Sequence, residues 1–221
     1  MRKTFGSPSK GLFLCSLRTC PSLFVDRILR RFKKFLFLLY FFVSLWYTCF
    51  MKYDYVTLYN KTAAFLEARP KAKKGILLFN AYIPYFFLVA YALLFVYGAF
   101  KGKFEATDFV KIFCAPAFAL LLVTVLRLAI DRPRPYDEEG AGIVPLKKKE
   151  GDKNSFPSRH LTCAAVIAAA FLPYLPAVSA LLFIFSVGLG YARFAVGWHY
   201  PSDLFAGFAL GLVIGIVPIL L

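Results

Sequence analysis

Apolar positions dominate the chain in long runs rather than in alternation. Six stretches approach the roughly 20 apolar residues that a membrane-crossing helix needs: 35–51, 76–100, 109–130, 160–175, 177–196 and 203–221. The first and fourth are short for the task and would require tilt or local thinning of the bilayer. Pro173 and Pro176 fall where the fourth stretch must turn into the fifth. Proline cannot continue a helix interior, so this junction predicts a tight helical hairpin. Ahead of the first run, Phe24, Ile28 and Phe32 recur every four residues among Arg27, Arg30, Arg31, Lys33 and Lys34. That pattern suits a helix lying on an anionic membrane surface. A cleaved leader is not expected, because the apolar run begins late and no small-residue site follows it. The pattern predicts an all-α protein: a basic amino-terminal segment, 1–34, and a membrane bundle of six transmembrane helices, 35–221.

Composition agrees. The 221 residues are 60% hydrophobic, with mean hydropathy +0.64, against 45–50% apolar in soluble domains. Lys and Arg number 27 against 12 Asp and Glu, a net charge of +15. Such a balance points to nucleic acid, an anionic membrane or an anionic substrate, and in so apolar a chain nucleic acid is the least favoured partner. The five cysteines form no CxxC pair and no metal-spaced cluster, so they read as small apolar residues. Basic residues divide almost evenly between the two sides of a six-span bundle. Charge near the first helix usually dominates orientation. The amino terminus is therefore expected in the cytoplasm.

Only two histidines occur, His160 and His199, each beside a Pro-Ser pair: Pro157-Ser158 before one and Pro201-Ser202 after the other. Six spans would bring the end of the third stretch, the start of the fourth and the fifth–sixth junction to one face. That face would carry Arg127, Arg132, Arg134, Ser158, Arg159, His160, Arg193, His199 and Asp203. Arg127 lies within an apolar run, where arginine costs roughly 2.5–3.5 kcal/mol at a helix centre, unless it snorkels. Arg134 follows seven residues later, about two turns on, and two guanidinium forks suit phosphate oxygens. Pro157 and Pro201 suit first helical turns, whose free N–H groups attract anions. Asp203, four residues after His199, can reach back to orient the imidazole. On that pair alone, helix capping by Asp203 with an interfacial role for His199 is the favoured reading.

Together these stretches resemble the type-2 phosphatidic acid phosphatase and vanadium haloperoxidase superfamily. Its pattern is Lys-x6-Arg-Pro, Pro-Ser-Gly-His and Ser-Arg-x5-His-x3-Asp. Here it reads Arg127-x6-Arg134-Pro135, Pro157-Ser158-Arg159-His160 and Ala192-Arg193-x5-His199-x3-Asp203. Arg127 stands for lysine, Arg159 for glycine and Ala192 for serine, and none of these changes removes a group that does covalent chemistry. The resemblance implies a lipid phosphate or diphosphate phosphatase working without cofactor or metal. His199 would attack phosphorus, Asp203 orient it, and His160 protonate the leaving oxygen. Arg127, Arg134, Ser158, Arg159 and Arg193 would hold the phosphoryl oxygens. Phosphatidate, phosphatidylglycerol phosphate and a polyprenyl diphosphate all fit as substrates. A lipid phosphotransferase using the same histidines and a noncatalytic binder of lipid phosphate remain open at this level; a vanadate-dependent haloperoxidase shares the motifs but is expected in a soluble chain. So does the oligomeric state.

Overall fold

The computed structural model describes residues 55–102, 104–137, 142–149, 151 and 153–220. The basic segment 1–34 and the apolar stretch 35–51 lie outside them. The described residues form six α-helices and no strand: α1 Tyr55–Glu67, α2 Pro70–Lys101, α3 Ala106–Ile130, α4 Arg159–Ala170, α5 Pro176–Ala195 and α6 Pro201–Leu220. Four of them, α2, α3, α5 and α6, are long and apolar enough to cross a membrane. Large apolar side chains such as Leu88, Leu93, Phe113, Leu121, Leu128 and Ile184 stand exposed along α2, α3 and α5. That is the surface a bilayer covers, and the chain is a multi-pass membrane protein.

The fourth expected span is shorter than the sequence suggested. α4 has 12 residues, about 18 Å at 1.5 Å per residue, against a hydrocarbon core of roughly 30 Å. It ends at Phe171–Tyr174, a turn before Pro176 opens α5, where the proline pair predicted the hairpin. α4 sits within the bundle, with Leu161, Thr162 and the run 164–169 buried. Its small side chains, Ala164, Ala165, Ala168 and Ala169, let neighbouring helices approach closely. On α6, Gly207, Gly211 and Gly215 repeat every four residues and face α4. A Cβ on Gly207 would stand 2.7 Å from the Ser158 carbonyl oxygen, one on Gly211 2.4 Å from that of Thr162, and one on Gly215 2.5 Å from the Ala169 Cβ. This small-residue seam is the means by which helices associate in lipid.

α1 was not expected. Residues 55–67 fall between the first two apolar runs, yet they form a helix that buries Tyr59 and Leu66. Tyr55, Tyr59, Ala63 and Leu66 form its inward stripe. Pro157 also differs from expectation. It precedes Ser158, the residue that opens α4, rather than lying in the first turn, whereas Pro201 is the first residue of α6 as anticipated.

Candidate functional site

Three segments converge at one end of the bundle: the chain leaving α3, the start of α4, and the α5–α6 junction. α3 closes on Asp131, whose left-handed backbone (φ 44°, ψ 41°) returns its N–H to the Arg127 carbonyl. A short acidic residue tolerates that conformation. Beyond it, Ser155 N–H donates to Arg132 O at 2.8 Å, and Ser155 Oγ to Pro133 O at 2.9 Å. Ser158 N–H donates to Asp203 O at 3.0 Å, which fixes the start of α4 against the start of α6. Gly197 takes φ 85°, and its Cα lies so close to Tyr59 Oη that a Cβ would sit 2.9 Å from it. Both the conformation and the space require glycine there.

The structure brings the expected residues to this end. His199 and Asp203 are buried almost completely, as are Arg127, Arg134, Ser158 and Arg193, while Arg159 and His160 are half-buried. Asp203 Oδ2 accepts from Tyr200 N–H at 2.9 Å and stands 3.6 Å from His199 Nδ1. That separation is slightly beyond a hydrogen bond, but close enough for the carboxylate to raise the imidazole's proton affinity. Burial pulls the other way and wins, with Arg134 and Arg193 adding to it, so the His199 pKa falls from 6.5 to about 4. His199 is therefore neutral at pH 7. His160 lies within electrostatic reach of Arg193, Lys149 and His199.

The arginines divide by where their hydrogen bonds go. Arg127 donates from Nη1 to Pro157 O at 3.1 Å and from Nη2 to Asn154 O, while Asn154 Nδ2 donates to Arg127 O at 2.8 Å. It anchors the segment that delivers Ser158, Arg159 and His160. Arg134 Nη1 donates to Trp198 O at 2.8 Å. Arg193 differs. It is 98% buried, its Cζ lies 4.9 Å from the Trp198 ring centroid, and Nε and Nη1 find no acceptor within the protein. Ser158 Oγ is likewise buried without a hydrogen bond. Native proteins seldom leave such donors unsatisfied, and these lie at the end of the bundle that carries His199.

Other residues at this end went unmarked in the sequence. Trp198 donates from Nε1 to Lys147 O at 2.6 Å, and its ring centroid lies 5.7 Å from Lys149 Nζ. Tyr59 Oη donates to Val144 O at 2.8 Å. The stretch 142–149 is thus held against the junction. Asn154 also takes part, through Arg127; Arg132, which the sequence had placed on this face, does so through Asp203 and Ser202. Only the four-residue spacing of Tyr55, Tyr59 and Ala63 could have announced α1's share. The partners of Trp198 and Asn154 are backbone carbonyls, which no sequence pattern marks.

A family model described as the PAP2 superfamily matches residues 108–220, which span α3 to α6 and every convergent segment above. The chain belongs to the PAP2 superfamily. Among curated proteins, it is 35% identical over 102 residues to a lipid A 1-phosphatase of Rhizobium etli, covering 45% of this chain and 44% of that protein. The chain thus spans less than half the length of that relative. It is 30% identical over 135 residues to the undecaprenyl-diphosphatase BcrC of Bacillus subtilis, covering 61% of this chain and 68% of that one. In fold it resembles the crystal structure of a transmembrane PAP2-type phosphatidylglycerolphosphate phosphatase from Bacillus subtilis. The TM-score is 0.55 at 21% identity, over 82% of this chain and 92% of the other.

Proposed function

We propose that this PAP2 protein is a membrane phosphatase that hydrolyses a lipid phosphate or lipid diphosphate through a phosphohistidine on His199. One observation carries the reading: Arg193 Nε and Nη1 and Ser158 Oγ, all buried and without acceptors, lie at the same end as a neutral His199 that Asp203 backs. A phosphoryl group supplies the missing acceptors, and guanidinium donors match its oxygens. The matches to lipid A 1-phosphatase and undecaprenyl-diphosphatase support the substrate class.

With Nδ1 facing Asp203, the other imidazole nitrogen, Nε2, has the free lone pair. It attacks phosphorus, and the bond from phosphorus to the lipid oxygen breaks. Burial, then the Arg193 and Lys149 charges, lower the His160 pKa to about 2 without substrate. On this reading the bound phosphoryl anion offsets those cations, and His160, in the first turn of α4, takes up a proton with the substrate. His160 donates that proton to the leaving oxygen. It then takes a proton from water as the water oxygen attacks phosphorus and the P–N bond opens, releasing phosphate and restoring His199. Arg134, Arg193, Ser158 and the Arg159 N–H hold the charge that develops on the phosphoryl oxygens, usually the largest catalytic contribution. Arg127 keeps the α4 segment in register and completes the cationic wall. The arginines take the place that magnesium has in other phosphoryl transfers.

The same reading extends to the whole chain: residues 35–51 as a further span completing six, residues 1–34 as an interfacial basic segment, the amino terminus in the cytoplasm and the site on the opposite face. Purified protein in detergent, offered phosphatidate, phosphatidylglycerol phosphate and a polyprenyl diphosphate, should release phosphate from at least one. Activity should persist in EDTA and be inhibited by vanadate, and His199→Ala should abolish it. Undiminished turnover by His199→Ala, or loss in EDTA reversed by magnesium, would overturn this mechanism.

A further inference from the structure

A buried carboxylate that orients an imidazole has to be held by both oxygens, or it swings about its last side-chain bond. Asp203 has no solvent exposure, so protein groups alone hold it. Oδ2 accepts the Tyr200 N–H at 2.9 Å and faces His199. Oδ1 accepts from Arg132 Nη1 at 3.1 Å, and the same nitrogen donates to Ser202 Oγ at 2.8 Å. The Arg132 guanidinium lies over the Tyr200 ring, 4.1 Å from its centroid, a favourable cation–π placement. Tyr200 in turn packs against Tyr55 of α1, ring centroids 5.1 Å apart.

The Arg132 backbone is fixed as well. It follows the left-handed Asp131 and precedes Pro133, and its carbonyl accepts the Ser155 N–H. Backbone, ring and two acceptors therefore set the direction of this side chain. Its hydrogen bonds run to Asp203 and Ser202, whereas Arg193 Nε and Nη1 find no acceptor within the protein.

We propose that Arg132 is a positioning residue: it clamps Oδ1 of Asp203, and so fixes the other oxygen toward His199, without touching the phosphoryl group. This rests on the reading of His199 as nucleophile and Asp203 as its orienting partner. Loss of the clamp slows phosphoryl transfer but leaves the phosphate pocket intact.

The test compares wild type with Arg132→Gln, Arg132→Lys and, as the pocket reference, Arg193→Gln. The proteins are purified in detergent and assayed on a long-chain lipid phosphate, with kcat and KM measured separately and vanadate inhibition read as pocket affinity. Removing the partner of an orienting group typically costs about 10–100-fold. Arg132→Gln should lose that much kcat while KM and the vanadate inhibition constant stay within about threefold, the signature of an interaction made in the transition state. Arg132→Lys should recover part of kcat, since an ammonium restores the charge but not the fork. Arg193→Gln should weaken vanadate. A rise in KM and in the vanadate constant in Arg132→Gln, parallel to its loss of activity, would overturn the proposal, as would unchanged kcat. Should Arg132→Gln fail to fold, Arg132→Lys carries the test through the same split with a smaller kcat loss. If His199→Ala is inactive and Arg132→Gln turns over normally, only the role of Arg132 falls. If His199→Ala turns over, the underlying mechanism falls first.

Discussion

At the scale of single residues, the site works by withholding water from groups that would otherwise be charged or satisfied. His199 is an example. Its pKa lies near 4 because burial outweighs the attraction of Asp203, and this has a consequence for stability. Above pH 6.5 the imidazole is neutral in both folded and unfolded chains and contributes no pH dependence. Between 6.5 and about 4 the unfolded chain binds a proton that the native site refuses, so stability falls as pH falls across that window. His199→Gln removes this contribution. Its Tm should therefore drop less than that of wild type between pH 7.5 and pH 5, and equal drops would show that the native imidazole titrates normally. Residue identities at the site were legible in the sequence because histidines are rare here and the motif spacings are tight. Their hydrogen bonds were not. Arg127 and Arg134 looked like a matched pair two turns apart, but Arg127 spends its fork on the carbonyls of Asn154 and Pro157. Arg132, between them, reaches Asp203 instead. Helical periodicity lapses at Asp131, and the left-handed turn there redirects everything after it.

At the scale of elements, the α4–α6 seam decides where His160 stands. The seam has no polar signature, and its Gly207–Gly211–Gly215 repeat is hidden in a run where every residue is apolar or small. For the same reason α4 read as a spanning segment: apolar length was visible, but burial of the helix within the bundle was not. A methyl group added at Gly211 meets a backbone oxygen at 2.4 Å, and backbone cannot rotate aside. Gly211→Ala should lower stability by about 1–3 kcal/mol, the usual range for overpacking, despite the gain of roughly 1 kcal/mol in helix propensity. Because α4 must shift to accept it, kcat should fall too. Gly75, inside α2 with nothing within 4 Å of its would-be Cβ, supplies the control. Gly75→Ala should leave Tm and activity unchanged or slightly raised. If the two variants behaved alike in melting and turnover, the seam would have no special role.

At the scale of the whole molecule, the convergent end and its opposite divide the protein into two chemically distinct faces. The opposite end gathers the α2–α3 and α4–α5 turns. Phe104 of the first and Tyr174 of the second pack with ring centroids 4.3 Å apart, and a Cβ on Gly98 would strike the Phe104 ring. Because α3 runs from that end to the site and α4 with its turn runs back, Lys101 and Lys148 must lie at opposite ends of the bundle. Both are exposed, and the helices between them present apolar side chains suited to lipid. α4 is too short to cross alone, but its buried setting removes the need, since irregular backbone is tolerated at membrane depth where protein surrounds it. The arrangement predicts a labelling pattern that does not depend on enzymatic activity. In a background with the five native cysteines replaced, Lys101→Cys and Lys148→Cys are placed singly and treated with an impermeant thiol reagent in sealed vesicles. One should label directly, and the other only after permeabilisation. If Lys148 labels from the side opposite the cytoplasm, the convergent end lies on that side and the basic stretch 147–149 faces anionic headgroups there. Labelling of both positions from one side would mean that the two ends do not straddle the bilayer, and the reading of α2, α3, α5 and α6 as crossing helices would fail with it.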